Sequence, residues 1–275
     1  MTNNFQSFPE NSVALVTAST GGIGKAVAQN LMLQGFNLII NGRNRERLEQ
    51  TVQEFRGLAR NIKPSIQIQG VAADLIEGNS CDLIFDALAS FDGPLKAMFV
   101  NTPTPAIGQP ESLNEDMWNH AYRAVIRFPD EIMRRAAENM ADSGGGAIVV
   151  NSSCSATIPI SPEFYLANTL RSASVSQAKT YARRYISQGV RINTLLTGYV
   201  DTSLVRNLAD QFSSQNQQNV ENLWSEWEKS IPIGRLAKAD EIARVAAFLL
   251  SDEASYIVGA ALEVDGGISM RHQNF

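Results

Sequence analysis

Short apolar runs alternate along this chain with longer stretches whose apolar positions recur at helical spacing. The runs predict strands near 13–17, 37–41, 65–72, 97–101, 146–152, 191–196 and 261–264. Amphipathic stretches predict helices near 22–34, 44–60, 79–90, 113–141, 163–187, 203–229 and 239–250. Leu38-Ile39-Ile40 and Ile148-Val149-Val150 are apolar at every position, as strands covered on both faces must be. Such alternation predicts an α/β protein: a doubly wound parallel sheet of about seven strands with helices on both faces. No repeat or linker divides the pattern. The expectation is a polar tail over 1–12 and a single domain over 13–275. Residues 210–221 are the least core-like. With Trp224 and Trp227 they make 203–230 either a lid over a pocket or a surface hairpin whose tryptophans pack on the body.

The first strand–helix junction reads Val16-Thr17-Ala18-Ser19-Thr20-Gly21-Gly22-Ile23-Gly24. A turn of small residues there leaves backbone N–H groups free beside a positive helix end, and glycine lets a pyrophosphate approach closely. The turn therefore predicts a Rossmann-type sheet that holds a dinucleotide.

Composition narrows the function. With 275 residues, 44% of them hydrophobic, the chain supports a large core. A net charge of −5 and a pI near 5.2 argue against nucleic-acid binding. Cys81 and Cys154 form neither a disulfide framework nor a metal cluster, and His120 has no metal-ligand partner at helical spacing. No apolar run approaches the roughly 18–20 residues of a membrane span. Met1 to Ser12 is polar without an apolar leader region, so a cytoplasmic protein is expected.

The glycine turn and several later motifs, spread from about Ser12 to Ser269, resemble the short-chain dehydrogenase/reductase superfamily. Its T-G-x-x-x-G-I-G motif is read here with Ala18 at the first glycine. The resemblance implies nucleotide contacts from Thr17, Ser19, Thr20, Gly22, Ile23 and Gly24. Asp74 and Leu75 follow the third strand, where the family places an aspartate by the adenine; Asp74 also reads as a helix N-cap. Asn101-Thr102-Pro103-Thr104-Pro105 stands where the family commonly has N-N-A-G. Gly198, Val200 and Thr202, after Arg191-Ile192-Asn193, would border the nicotinamide carboxamide. At the end of the second strand Arg43 and Asn44 replace the acid that binds the ribose of NAD; an arginine there pairs with a 2′-phosphate and implies NADP(H).

The family's chemistry uses a tyrosine and a lysine four residues later. Tyr165 has Thr169 at the lysine place, which offers no charge. Counting back from Gly189-Val190-Arg191-Ile192-Asn193 by the family's spacing instead puts Arg171 at the lysine and Ala167 at the tyrosine. This register is preferred, because a slip of two residues turns a helix by roughly 200°. Ser153 is the expected serine, though Cys154 fits an ungapped count, and Val125 stands at the expected asparagine. Ser153, Tyr165 and Arg171 are the candidates for chemistry. Tyr165 either reaches the pocket as a displaced proton donor or packs at an interface.

The resemblance thus implies an NADP(H)-dependent oxidoreductase acting on a carbonyl or alcohol of a small metabolite, with a non-standard proton donor. Alternatives are non-redox biosynthetic chemistry on the same fold and a nucleotide-binding partner without turnover. A homodimer or homotetramer is expected through the helices near 113–141 and 163–187. Met133, Ala136, Ala137, Ala173, Val175 and Ala178 supply either that face or the monomer core.

Overall fold

The computed structural model describes residues 9–216 and 219–272. Of the expected tail, residues 1–8 lie outside that range, as do 217 and 218 within the expected lid. The chain begins β1 (Val13–Val16), α1 (Gly22–Leu33), β2 (Asn37–Gly42), α2 (Arg45–Arg60), β3 (Ile68–Ala72), α3 (Ser80–Leu88) and β4 (Leu95–Val100). Then follow α4 (Glu115–Tyr122), α5 (Phe128–Asp142), β5 (Gly146–Ser153), α6 (Tyr165–Tyr185) and β6 (Val190–Thr197). The last part holds β7 (Val200–Asp201), α7 (Ser203–Asn216), α8 (Val220–Ser230), β8 (Ala237–Lys238), α9 (Ala239–Leu250) and β9 (Ala261–Val264).

Seven strands form one parallel sheet in the order β3-β2-β1-β4-β5-β6-β9, and β7 pairs with β8 apart from it. Side chains alternate across each strand. Ala14 and Val16 therefore face a core made with α1, α2 and α9. Val13 and Leu15 face the opposite core, made with α3, α5 and α6. The β1 register, Val13 to Asn37 through Val16 to Ile40, brings the C-terminal ends of β1 and β2 level.

Three elements differ from the sequence reading. The helix expected over 113–141 is two helices joined by a π-helical turn, Arg123–Arg127, in which the Phe128 N–H donates to the Arg123 carbonyl. Pro129 explains the break: it has no N–H to give the carbonyl of Val125, four residues earlier. The stretch over 203–229 is the hairpin α7–α8, and the strand expected from 65 starts at Ile68. The question left open on α5 and α6 is decided by packing. Met133, Ala136, Ala137 and Ala178 belong to the core of the single chain. Ala173 is exposed and Val175 half-buried.

Two buried polar side chains fix parts of the frame. Arg191, on β6, donates through Nη1 to the Leu249 carbonyl at 2.9 Å and through Nη2 to the Ser251 carbonyl at 2.7 Å. It closes the C-terminal end of α9, where carbonyls lack helical partners and a cation is favoured. Asn41, 1% exposed at the end of β2, accepts the Ala18 N–H (3.1 Å) and donates to the carbonyls of Val71 (3.1 Å) and Ala73 (3.0 Å). It ties the turn after β1 to the end of β3.

Replacing Arg191 by Met leaves those carbonyls unpaired. Urea unfolding should show a loss of about 3 kcal/mol; a loss below about 1 kcal/mol would contradict this role. Asn41→Ala removes one bond to the turn and two to the end of β3 and should cost about 2 kcal/mol in the same assay.

Candidate active site

The strand order reverses between β1 and β4, and in open α/β sheets ligands bind outside the carboxyl ends of the strands at that reversal. The glycine turn lies there. Ala18 has φ +46° and Gly22 φ +52°. The left-handed region costs a residue with a Cβ roughly 1–2 kcal/mol, so Ala18 stays there because its neighbours hold it. Its N–H is held by Asn41, and its carbonyl accepts Asn101 Nδ2 at 3.3 Å. A Cβ on Gly24 would collide with that carbonyl, and one on Gly22 would lie 3.2 Å from Thr202 Cγ2. Glycine at 24 thus lets α1 pack closely on the turn, and glycine at 22 takes the left-handed conformation beside Thr202.

Several of the expected ligand residues also hold the cradle. Thr17 Oγ1 donates to the Asn101 carbonyl (2.6 Å) and accepts the Asn101 N–H (2.8 Å), stitching β1 to β4. Ser19 Oγ donates to the Val16 carbonyl and accepts the Asn41 N–H. Asn44 Oδ1 caps α2 by accepting the Arg47 N–H at 2.8 Å. Asp74 accepts the Ile76 N–H. It is not the cap of α3, whose N-cap is Asn79; this corrects the N-cap reading. Leu75 is buried in the core, and Ile23 packs partly buried on the opposite one. Arg43 is exposed beside the turn.

From the turn a line of amides crosses the strand ends. Asn151 Nδ2 donates to Asn101 Oδ1 at 2.9 Å, and the Asn151 carbonyl accepts Arg171 Nη1 at 2.9 Å. Arg171 is 8% exposed, and that carbonyl is its hydrogen-bond partner among the described residues. No carboxylate pairs with it there, and loss of solvation pushes its pKa down to about 10. Close by in the sequence of strand ends, Thr102 Oγ1, Asn151 Oδ1 and Ser155 Oγ are buried without partners. Such atoms are costly to leave unpaired, which points to a polar ligand.

Helix α6 separates the two candidate registers. Ala167 and Arg171 lie on its buried side, with Ser174 and Ala178. Tyr165 is 39% exposed and sets its ring edge-on to Trp118 at 6.0 Å, and Thr169 is exposed too. Ser153, half-buried at the end of β5, accepts the Ser155 N–H and hydrogen-bonds the Cys154 side chain. Cys154 is 1% exposed; burial pushes its thiol up to about 12, so it is inert as a nucleophile. Val125, also buried, sits inside the π-helical turn.

Past β6, a Cβ on Gly198 would come within 2.8 Å of Asp265 Cα, so the chain after β9 can approach only a glycine. Val200 is buried, and Thr202 Oγ1 accepts the Val205 N–H at the start of α7. Trp227 of α8 stacks on Tyr199 (5.3 Å, 13°) and meets Phe212 edge-on, while Phe212 reaches Phe164 before α6. The hairpin is thus seated on the body by aromatic contacts.

Asn41 and Asn151 were not among the candidates read from the sequence. The signal available was an amide at the end of an otherwise apolar strand, in Ile40-Asn41 and Val150-Asn151. No group of metal-ligating side chains occurs among the described residues, and no described helix is long and apolar enough to cross a membrane.

Residues 17–269 match the family model described as enoyl-(acyl carrier protein) reductase. The chain is 28% identical over 262 residues to human dehydrogenase/reductase SDR family member 4, covering 95% of this chain and 88% of that protein. It is also 28% identical over 257 residues to the uncharacterized oxidoreductase YmfI of Bacillus subtilis, covering 94% and 98%. Among solved structures, L-sorbose reductase from Gluconobacter frateurii, in complex with NADPH and L-sorbose, superposes with a TM-score of 0.87 at 25% identity, covering 94% of this chain and 97% of that one. The cradle at the sheet reversal, the strand order and these matches along nearly the whole chain have one explanation: it belongs to the short-chain dehydrogenase/reductase superfamily of oxidoreductases.

Proposed function

We propose that this chain is an NADP(H)-dependent oxidoreductase that interconverts a carbonyl and an alcohol of a small metabolite, using a fixed cation where relatives use a tyrosine–lysine pair. The observation that carries the reading is the joining of the glycine cradle to the buried, unpaired guanidinium of Arg171 by one line of amides. The residues present fit a dinucleotide: the glycine turn lies at the sheet reversal just before α1, and Arg43 follows β2 where a 2′-phosphate would lie. The likeness to an NADPH-bound reductase supports the same cofactor.

When bound, the nicotinamide supplies or accepts the hydride. Charge then develops on the substrate oxygen, and this chain's own groups must meet it. Arg171 brings a positive charge in a site with little solvent, where it is worth far more than in water. The Ser153 hydroxyl, at the end of β5, donates to the same oxygen when it turns from the Cys154 thiol. Arg171 is a poor proton donor because it holds its proton tightly, so its role is to stabilise the oxyanion while the proton arrives from solvent. Tyr165, on the exposed side of α6, packs its ring edge-on to Trp118 and supplies no proton in this reading.

Fluorescence titration with NADPH, followed by absorbance at the nicotinamide band with a panel of carbonyl substrates, tests the reading. Binding with turnover is expected. Binding without a redox change would favour non-redox chemistry or a partner without turnover, and failure to bind either nucleotide would refute the cradle.

Arg171→Met should lower kcat about a hundredfold, whereas Tyr165→Phe should lower it less than about fivefold. The reverse order would make Tyr165 the proton donor. Burial lowers the Arg171 pKa to about 10, still well above neutrality, so the guanidinium keeps its charge across the working range. The kcat profile should therefore be level from about pH 6 to 9 and fall only beyond; a limb near neutrality would assign the chemistry to another group.

A further inference from the structure

The α7–α8 hairpin turns one apolar stripe per helix toward the body. On α7, Val205, Leu208, Ala209 and Phe212 recur at helical spacing and are buried or half-buried, while Arg206, Asn207, Asp210 and Gln211 between them are exposed. On α8, Leu223, Trp224 and Trp227 form the matching stripe, and Glu221, Glu226 and Lys229 are exposed. Glu228, next to Trp227, is turned from it by about 100°.

Rings carry these stripes to the strand ends as an arch. Phe164, just before α6, lies 6.2 Å from Phe212; Phe212 meets Trp227 at 6.3 Å; Trp227 stacks on Tyr199 at 5.3 Å. Both feet of the arch are fixed. At one foot the Gly108 N–H donates to the Glu163 carbonyl at 2.9 Å, beside Phe164. At the other, Tyr199 follows β6, whose Thr197 is in register with Ser153 of β5. Burial, then the neighbouring Cys154, pushes the Tyr199 phenol up to about 12. The arch thus joins the helix that carries Arg171 to the strand that pairs beside Ser153. All four rings remain half-buried, and a further ring pair, Tyr165 with Trp118, adjoins Phe164.

Charges near the arch are already engaged. Glu163 accepts from Gln109 and Ser161, and Asp201 from Arg206 at two positions. The buried polar atoms without partners, Thr102 Oγ1, Asn151 Oδ1 and Ser155 Oγ, lie at the strand ends instead. A ligand held between these two surfaces needs polar atoms at one end and a flat apolar body at the other. Against the rings, the hydroxyls of a sugar go unpaired, whereas a phenyl group stacks.

We propose that the substrate is an aryl ketone whose ring lies against Phe212 and Trp227 and whose carbonyl points to Ser153 and Arg171. On reduction its carbonyl carbon gains the hydride of the nicotinamide and its oxygen a solvent proton, giving the aryl alcohol and the oxidised cofactor. The assignment rests on the oxidoreductase reading above and adds the substrate class to it.

The test uses the full-length protein in two arms. Calorimetric titration of 1-phenylethanol and of D-sorbitol into the protein saturated with NADPH reads the substrate class without turnover. Steady-state rates with acetophenone and with L-sorbose read the chemistry. 1-Phenylethanol should bind at least about tenfold more tightly than D-sorbitol, and kcat/KM should favour acetophenone by a similar factor. Phe212→Ala and Trp227→Ala should each weaken 1-phenylethanol about tenfold and raise the KM for acetophenone in proportion, with kcat within about threefold. Phe212→Leu, which keeps an apolar contact without a ring, should fall between, and NADPH affinity should hold within about twofold throughout. Tighter binding of D-sorbitol, or aryl binding that the ring variants leave unmoved, would overturn the aryl assignment and leave the oxidoreductase standing. A parallel loss of NADPH affinity would assign the rings to the fold alone and overturn it too. Ring-dependent binding of 1-phenylethanol without turnover of acetophenone would keep the aryl site and remove the redox reading.

Discussion

A single line of hydrogen bonds runs across the C-terminal ends of four strands, and the site depends on it. It passes from Asn41 to the Ala18 N–H, from the Ala18 carbonyl to Asn101, from Asn101 to Asn151, and from the Asn151 carbonyl to Arg171. Each strand end leaves polar groups beyond the last ladder bond, and burial makes those groups expensive unless paired. Amide side chains suit this work because each donates and accepts at once. The line holds Ala18 in a left-handed conformation that its methyl group disfavours, and it places a buried cation at a fixed distance from the cradle.

The cradle is made of backbone and of residues bonded to backbone, such as Thr17 and Ser19. It does not depend on which side chains α6 presents, apart from the Arg171 bond to the Asn151 carbonyl. The register of α6 then matters more than the presence of any tyrosine. Tyr165 is available in the sequence, but the helix turns it to the exposed side and turns Ala167 and Arg171 inward.

The sequence by itself determined the layered α/β architecture, the strand count and the place of the glycine turn. These follow from local causes: apolar runs that only a doubly covered parallel strand can bury, and helical periodicity between them. It also pointed to Arg171 in place of Thr169, since helix length fixes which side chains share a face. What only the tertiary structure decided involves partners distant in the chain. Met133, Ala136 and Ala137 face the sheet because α5 packs on β4, and the pattern alone allowed either face to be covered. The break in the long helix needed Pro129 to coincide with the packing of α6, whose Gln177 reaches the Ile126 carbonyl. Asn41 and Asn151 carry no motif. Their roles arise where strands that are far apart in sequence end side by side, and a linear reading does not show which ends meet.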